Sequence, residues 1–296
     1  MQITFLGTSS MVPTKDRNQS GVLITYDTQG ILIDCGEGMQ RQFKKAGIPL
    51  TKVTKVLITH WHGDHVFGLP GLISTLGASE YTKTLEIYGP QGTKKHMEAM
   101  FEAFVFDKKI DLKVIEIKEG VFFENKDFIL EAYKLNHGIL CMGYNFIEKD
   151  KLKIDAKLQK KLDIPDGPWL AQLKEGKEIE FKGKKVLQEQ ITFKEKGKKI
   201  SIIADTAPCT NCYKLAQDAD LLISEATYTS DLEAKSEQYG HMTAKQAALI
   251  ANQANVKKLV LTHLSARYKS KSDVEEDALN YFQNVEVAED FMKINL

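Results

Sequence analysis

The sequence predicts an α/β fold with an arm inserted into it, and three observations carry the prediction. Short Val-, Ile- and Leu-rich runs of strand length alternate with stretches of helical pattern from the first residues to the last. Two halves of the chain echo each other: Lys55-Val56-Leu57-Ile58-Thr59-His60 resembles Lys258-Leu259-Val260-Leu261-Thr262-His263, and Ile31-Leu32-Ile33-Asp34 resembles Ile202-Ile203-Ala204-Asp205. Residues 149–185 break the alternation, with little apolar periodicity and Pro165-Asp166-Gly167-Pro168-Trp169 at their middle. That stretch reads as a projecting arm without a core of its own, inserted into a single domain that spans residues 1–296.

The elements follow in order. Residues 2–8 form a strand that stops at a glycine turn, a loop Pro13-Thr14-Lys15-Asp16-Arg17-Asn18 follows, and strands cover 21–26 and 31–34. Asp34-Cys35-Gly36-Glu37-Gly38 closes the last of these with a turn that bares the Asp at the strand end. A short helix at 39–46 leads to a strand at 55–59. A helix at 69–76, a strand at 84–88 and a helix at 92–105 come next. That helix carries His96 among Met97, Met100, Phe101 and Phe104, where it reads as a packing residue. Strands recur at 112–116, 120–123 and 128–135, the last ending at Asn136-His137-Gly138. Beyond the arm, a strand at 200–204 ends at Asp205, a helix covers 211–218, and a strand at 221–224 ends at Glu225. Thr243 and Gln246 form a capping box for a helix at 244–254. A strand at 259–262 ends at His263, and a helix at 273–283 and a terminal strand finish the chain.

Composition excludes several classes. The chain is 43% hydrophobic and 27% charged, ordinary for a protein with a full core, and no apolar run approaches the roughly 18 residues that span a bilayer. The first basic residue is Lys15, so the N-terminus reads as a strand and not as a leader, and the expected location is the cytoplasm without membrane attachment. Four cysteines do not make a disulfide framework; Cys209-Thr210-Asn211-Cys212 is a lone C-x-x-C, a redox pair, half a zinc site or simple packing. Net charge is zero but segregated: residues 149–199 hold fifteen Lys against nine acidic residues, a surplus of +6 that the remainder balances. A basic segment on an acidic body is either a handle for a polyanion or a solvated insertion.

The chemistry concentrates in His60-Trp61-His62-Gly63-Asp64-His65, directly after an apolar strand. Three imidazoles and a carboxylate within six residues suit neither a core nor an ordinary loop. Their spacing gives two points of convergence, His60 with His62 and Asp64 with His65, and so two metal ions. Nitrogen and oxygen ligands of this kind suit Zn²⁺, with Mn²⁺ or Fe²⁺ as alternatives. His137, His241 and His263 also sit at strand ends or in loops after strands, as do Asp205 and Glu225. Placed around one cleft they complete a binuclear site of two Zn²⁺ per chain: His60, His62 and His137 on one ion, Asp64, His65 and His263 on the other, Asp205 bridging. Two ions so held ionise a water at neutral pH and clamp the oxygens of an in-line displacement.

His-x-His-x-Asp-His after a strand, with later His, Asp and His, resembles the metallo-β-lactamase superfamily, which implies a four-layer αββα sandwich with zinc between the sheet edges. Further stretches resemble its ribonuclease Z family, endonucleases that remove the 3′ trailer of precursor tRNA. Phe5-Leu6-Gly7-Thr8 and Pro13-Thr14-Lys15-Asp16-Arg17-Asn18 are similar to its opening and to its P-x-K-x-R-N loop, which implies contact of Lys15, Arg17 and Asn18 with the tRNA 3′ end. Ser224-Glu225-Ala226-Thr227 is similar to its H-E-A-T loop with Ser224 in place of His, and His241-Met242-Thr243 to its H-x-T motif. The segment from Thr262 through His263 and Arg267 to Tyr268 resembles that of its last ligand, with Arg267 as a substrate contact. The arm, with Gly167-Pro168, resembles the family's tRNA-binding arm. The resemblance implies Asp64 as ligand and proton acceptor, and His241 oriented by Glu225 as general acid. It also implies a 3′-hydroxyl on the tRNA, a 5′-phosphate on the trailer, and a homodimer in which one subunit's arm serves the other. The competing readings are a hydrolase of small phosphodiesters, thioesters or sulfate esters on the same fold, and, more remotely, a non-catalytic RNA-binding protein.

Overall fold

The computed structural model describes residues 1–105, 109–174, 176–181 and 183–296, which divide into two compact units. The larger unit holds residues 1–124, 130–146 and 199–296, and the smaller holds 125–129 and 147–198.

In the larger unit the first strands are β1 (Gln2–Gly7), β2 (Gly21–Tyr26), β3 (Gln29–Ile33), β4 (Val53–Leu57), β5 (Thr84–Gly89) and β6 (Asp111–Glu116). Between them lie α1 (Met39–Ala46), α2 (Gly63–Val66), α3 (Leu69–Ala78) and α4 (Thr93–Ala103). β1 to β4 are buried along nearly their whole length, not alternately, so both faces of the sheet are covered. One face meets α1, α3 and α4, where Leu23, Leu32, Val56 and Ile87 pack with Phe43, Leu72, Leu76 and Met97. The other meets a second sheet.

That sheet takes β7 (Gly120–Glu124), β8 (Phe128–Asn136) and β9 (Leu140–Glu148). The smaller unit follows, with β10 (Lys151–Ile154), α5 (Ala156–Lys161), α6 (Trp169–Lys174), β11 (Ile179–Phe181), β12 (Lys184–Val186) and β13 (Thr192–Glu195). The larger unit then resumes with β14 (Lys199–Ile203), α7 (Thr210–Ala216), β15 (Leu221–Glu225), α8 (Glu233–Tyr239), α9 (Ala244–Gln253), β16 (Leu259–Thr262), α10 (Ser272–Leu279), β17 (Val285–Val287) and β18 (Lys293–Asn295). The strand orders are β18-β1-β2-β3-β4-β5-β6 and β17-β16-β15-β14-β9-β8-β7, seven strands each. On its outer face the second sheet packs Ile203, Leu222, Leu259 and Leu261 against Leu215 of α7, the alanine face of α9 and Val274 of α10. The inner faces meet where Tyr144 of β9 donates its hydroxyl to the carbonyl of Ile58 beyond β4, at 2.5 Å, and where Tyr88 packs on Phe122. The result is the four-layer αββα sandwich, with the sheets at its centre.

Most expected elements stand within a residue or two of their expected bounds, and the Thr243–Gln246 box forms as read, each residue's side chain accepting from the other's backbone N–H. Some elements of the larger unit had not been expected: the short helix α2 in the histidine stretch, a second strand after α10, and two more. Strand β9 has its alternation interrupted by Gly143 and Asn145, and helix α8 buries only Ser236. A further difference is in the insertion. Ile164, Leu173, Ile179, Val186 and Ile191 gather into a small core, with Ile154 and Trp169 beside it, where a stretch without a core was expected. The unit also runs to residue 198, beyond the expected end at 185. Its chain ends lie together, Glu148 N donating to Lys198 O at 2.8 Å. Lys182, one of its lysines, lies outside the described residues.

Candidate metal centre

Parallel pairing aligns the strand ends that carry the polar residues. Ile33 of β3 stands beside Leu57 of β4, so Asp34 and the segment Ile58-Thr59-His60 leave the first sheet together. On the second sheet Ile203 pairs with Ser224 and Glu225 with Thr262, so Asp205, Glu225 and His263 leave β14, β15 and β16 at one edge. Ligands of open parallel sheets gather at such carboxyl ends. His137 follows β8 directly, and one turn of α2 holds Asp64 and His65. Close backbone approach makes room for this: a Cβ on Gly36 would stand 2.7 Å from Asp64 O, and one on Gly68 2.1 Å from Gly36 O.

The donor atoms converge in two groups. His60 Nε2 lies 3.0 Å from His62 Nδ1, which lies 3.2 Å from His137 Nε2, and Asp205 Oδ2 is 3.8 and 3.7 Å from the His60 and His137 nitrogens. In the second group His65 Nε2 and His263 Nε2 lie 3.4 and 3.5 Å from Asp64 Oδ2, and each is 3.4 Å from an Asp205 oxygen. Ligands about 2.0–2.2 Å from a tetrahedral ion stand at such separations from one another. His65 Nε2, His263 Nε2 and Asp205 Oδ1 are buried and have no hydrogen-bond partner among the described residues. Three orphaned polar atoms aimed at one another would cost several kcal/mol unless a cation satisfied them. The donor set therefore fits two divalent ions with Asp205 between them.

A second ring of contacts aims these donors. Asp34 Oδ2 accepts from His65 Nδ1 at 2.7 Å, which puts the His65 proton on Nδ1 and turns the Nε2 lone pair to the centre. His137 Nδ1 donates to Gly240 O at 2.7 Å with the same effect, and His60 and His263 hold the hydroxyls of Thr59 and Thr227, each at 3.0 Å. Both Asp34 and His263 sit at positive φ, 59° and 58°, a left-handed conformation that Asp and His adopt more readily than most side chains. Burial pushes the His60 and His62 imidazoles below their ordinary range, so they are neutral and ready to ligate. Burial alone would raise the Asp205 carboxyl, but His263 and His65 hold it well below the usual range; His263 and His65 do the same for Asp64 against its own burial. His65 is pressed down by burial yet held well above the ordinary range by Asp205 and Asp34, so cation binding there displaces a proton.

Glu225 is buried at the edge of this centre. Its carboxylate accepts from Thr206 N at 2.6 Å and from Thr227 Oγ1 at 2.7 Å, and faces His241 Nδ1 at 3.1 Å. Burial lowers the His241 imidazole, but the Glu225 charge and hydrogen bond outweigh it and raise the group to about 9. His241 does not follow a strand, as had been expected; it lies between α8 and α9, one residue past the Gly240 that ends α8. Ser224 turns its hydroxyl to the carbonyl of Glu225 and is fully buried.

A cleft of about 610 Å³ opens over both donor groups, lined by His62, Asp64, His137, Asp205, His241 and His263, with Met11, Phe67, Tyr228 and Tyr239 among its apolar surfaces. Arg267 lies over the Tyr228 ring, 5.2 Å from its centre. The Lys15 loop borders a separate hollow with Arg41 and Lys45. Lys15 is exposed, whereas Arg17 donates to the carbonyl of Tyr268 and Asn18 Nδ2 to that of Glu37, so those two also brace the loop. Gly167 and Pro168 lie in the smaller unit, in the turn that opens α6. His96 is exposed and stacks on Trp61, 4.8 Å between ring centres, while Trp61 Nε1 donates to Thr93. Asp34, Thr59 and Thr227 were not anticipated in the site; the strand-end position of Asp34, the same as that of Asp205, and the place of Thr227 two residues after Glu225 in its motif were the available signals.

A family model described as "Beta-lactamase superfamily domain" matches residues 173–264, and one described as "Anti-Pycsar protein Apyc1" matches residues 1–139. The chain is 40% identical over 301 residues to Ribonuclease Z of Bacillus cereus (strain B4264), covering 98% of this chain and 97% of that protein. Ribonuclease Z of Bacillus thuringiensis (strain Al Hakam) matches at the same identity and coverage. Among solved structures, the short form of human tRNase Z superposes with a TM-score of 0.73 at 29% identity, over 100% of this chain and 99% of that one. A diphosphatase of the PhnP family, with a TM-score of 0.67 at 16% identity over 100% and 97% of the two chains, shares the fold.

Proposed function

The chain belongs to the ribonuclease Z family, tRNA 3′-processing endoribonucleases of metallo-β-lactamase fold, and on that premise we propose how its residues divide the work. His60, His62 and His137 would hold one divalent ion, Asp64, His65 and His263 a second, with Asp205 shared; Zn²⁺ suits this nitrogen-rich set best. The observation that carries the reading is the pair of donor groups meeting at Asp205, with three of their atoms otherwise unsatisfied. When bound, the ions acidify water and offset the charge on the phosphate being transferred.

The chain's own groups do the rest. Asp64 takes the proton of the attacking water on one carboxylate oxygen while the other keeps its place between His65 and His263. His241, held protonated at neutral pH by Glu225, gives its proton to the departing oxygen, which leaves a 3′-hydroxyl on the tRNA and a 5′-phosphate on the trailer. The exposed ring of Phe67, together with Tyr239, offers stacking faces to the bases beside the cut. Lys15, Arg17, Asn18 and Arg267 meet the tRNA near the cleft, and the smaller unit, with Gly167 and Pro168 in its α6 turn, binds the tRNA body through its lysines.

A homodimer in which each smaller unit serves the partner's cleft fits the family. The four free cysteines fit a reducing cytoplasm, and no helix of the described residues is long and apolar enough to cross a membrane. The test is direct. The protein is incubated with one 3′-extended tRNA and the new ends are mapped. A single cut with a 3′-hydroxyl on the tRNA and a 5′-phosphate on the trailer is expected. A 2′,3′-cyclic phosphate end would remove the assigned roles.

A further inference from the structure

The C-x-x-C at residues 209–212 is not part of the metal centre. No group of metal-ligating atoms among the described residues includes either cysteine, which leaves a zinc half-site without its other half. The two sulfurs lie 3.5 Å apart, at van der Waals contact, across the first turn of α7. A disulfide needs about 2.05 Å, so the two sulfurs have about 1.5 Å left to close.

The sulfurs also differ in their surroundings. Cys209 is half-buried at the start of α7, whereas Cys212 is fully buried in the core beneath that helix. Cys35 and Cys141 are buried too, and neither has another cysteine beside it.

We propose that Cys209 and Cys212 form a thiol–disulfide exchange site, with Cys209 the attacking sulfur and Cys212 the resolving one, that takes low-molecular-weight or protein disulfides as its oxidant. The Cys209 thiolate attacks one sulfur of the incoming disulfide and expels the other as a thiolate, leaving a mixed disulfide. Cys212 then loses its proton and attacks Cys209 Sγ, forming the internal bridge and expelling the second thiolate. Two electrons and two protons pass from the dithiol to the oxidant, and its two thiols leave.

The local chemistry suits these roles. The Cys212 thiol first, against burial, and then the backbone N–H groups of Cys212 and Asn211 bring Cys209 down to about 5. Cys212 is pushed up by Cys209 and by burial, and burial likewise raises Cys35 and Cys141. Cys209 is thus the more acidic and the more accessible thiol of the pair, and its bonding partner is already in contact.

The test uses the folded full chain with glutathione disulfide, acid quenching, alkylation and peptide mass mapping. In the wild-type chain the peptide holding both residues should lose two hydrogens, resist alkylation and recover with dithiothreitol. Cys212→Ser should trap one glutathionyl group on Cys209, and Cys209→Ser should react at Cys212 about ten-fold more slowly or less. A wild-type peptide that keeps two alkylatable thiols would overturn the proposal. So would equal reactivity in the two variants, or protection of the pair by added Zn²⁺ in protein whose metal centre is already filled.

Discussion

Replacing Asp34 with Asn changes two of its three hydrogen bonds by swapping one oxygen for an amide nitrogen. The Asp34 carboxylate accepts from Thr59 N at 2.8 Å through Oδ1, and from Thr59 Oγ1 at 2.8 Å and His65 Nδ1 at 2.7 Å through Oδ2. In Asp34→Asn the remaining oxygen can keep the Thr59 N–H, which turns the new NH₂ toward His65 Nδ1. An NH₂ there can only donate, so His65 must present a lone pair on Nδ1 and carry its proton on Nε2. Nε2 is the atom 3.4 Å from both Asp64 and Asp205, and a protonated nitrogen cannot ligate. Loss of such an outer contact typically lowers metal affinity about 10–100-fold, or about 1.4–2.7 kcal/mol. Asn also tolerates the positive φ at this position, so the backbone stays in place. Competition against a fluorescent chelator should show the second Zn²⁺ weakened by that factor while the first is held nearly as before. Cleavage should recover at excess metal. An unchanged affinity for both ions, with an unchanged circular dichroism spectrum, would refute the tautomer argument.

Other outcomes follow from the same geometry. His241→Ala should slow precursor cleavage by about 10²–10⁴ with two metals still bound, as measured by single-turnover rate and metal analysis. The rate should be full while His241 is protonated and fall as pH rises through about 9; Glu225→Gln removes the raising charge and should move that fall to lower pH. Excising residues 149–197, whose flanking residues Glu148 and Lys198 are already bonded, should abolish precursor tRNA cleavage and spare bis(p-nitrophenyl) phosphate. Equal loss on both substrates would count against a tRNA-handling role for the smaller unit. Phe67→Ala should weaken precursor binding by a stacking contact, about 1–3 kcal/mol, with the same selectivity against the small ester.

Much of the centre could be read from the sequence because parallel strands deliver their ends to one edge. Apolar runs closing on His60, Asp205 and His263 place these residues even though the chain separates them widely. Asp34 was visible as a strand end, but its bond to His65 is a contact between two loops that no spacing encodes. His241 gave the wrong local reading, since α8 has no apolar stripe to announce the helix that precedes it. The small core of the insertion stayed hidden for a related reason: its five buried residues come from separate short elements, and only the fold gathers them. Strand β9 was lost to its internal Gly143 and Asn145, yet Tyr144 between them ties the two sheets together.

The central claim is that seven side chains from both sheets hold two cations around Asp205. Anomalous diffraction from crystals loaded with Zn²⁺ tests it most directly. Two peaks about 3.5–4 Å apart are expected, one among His60, His62 and His137 and one among Asp64, His65 and His263, with the Asp205 carboxylate between them. A single peak, or two peaks with Asp205 bound to neither, would contradict it.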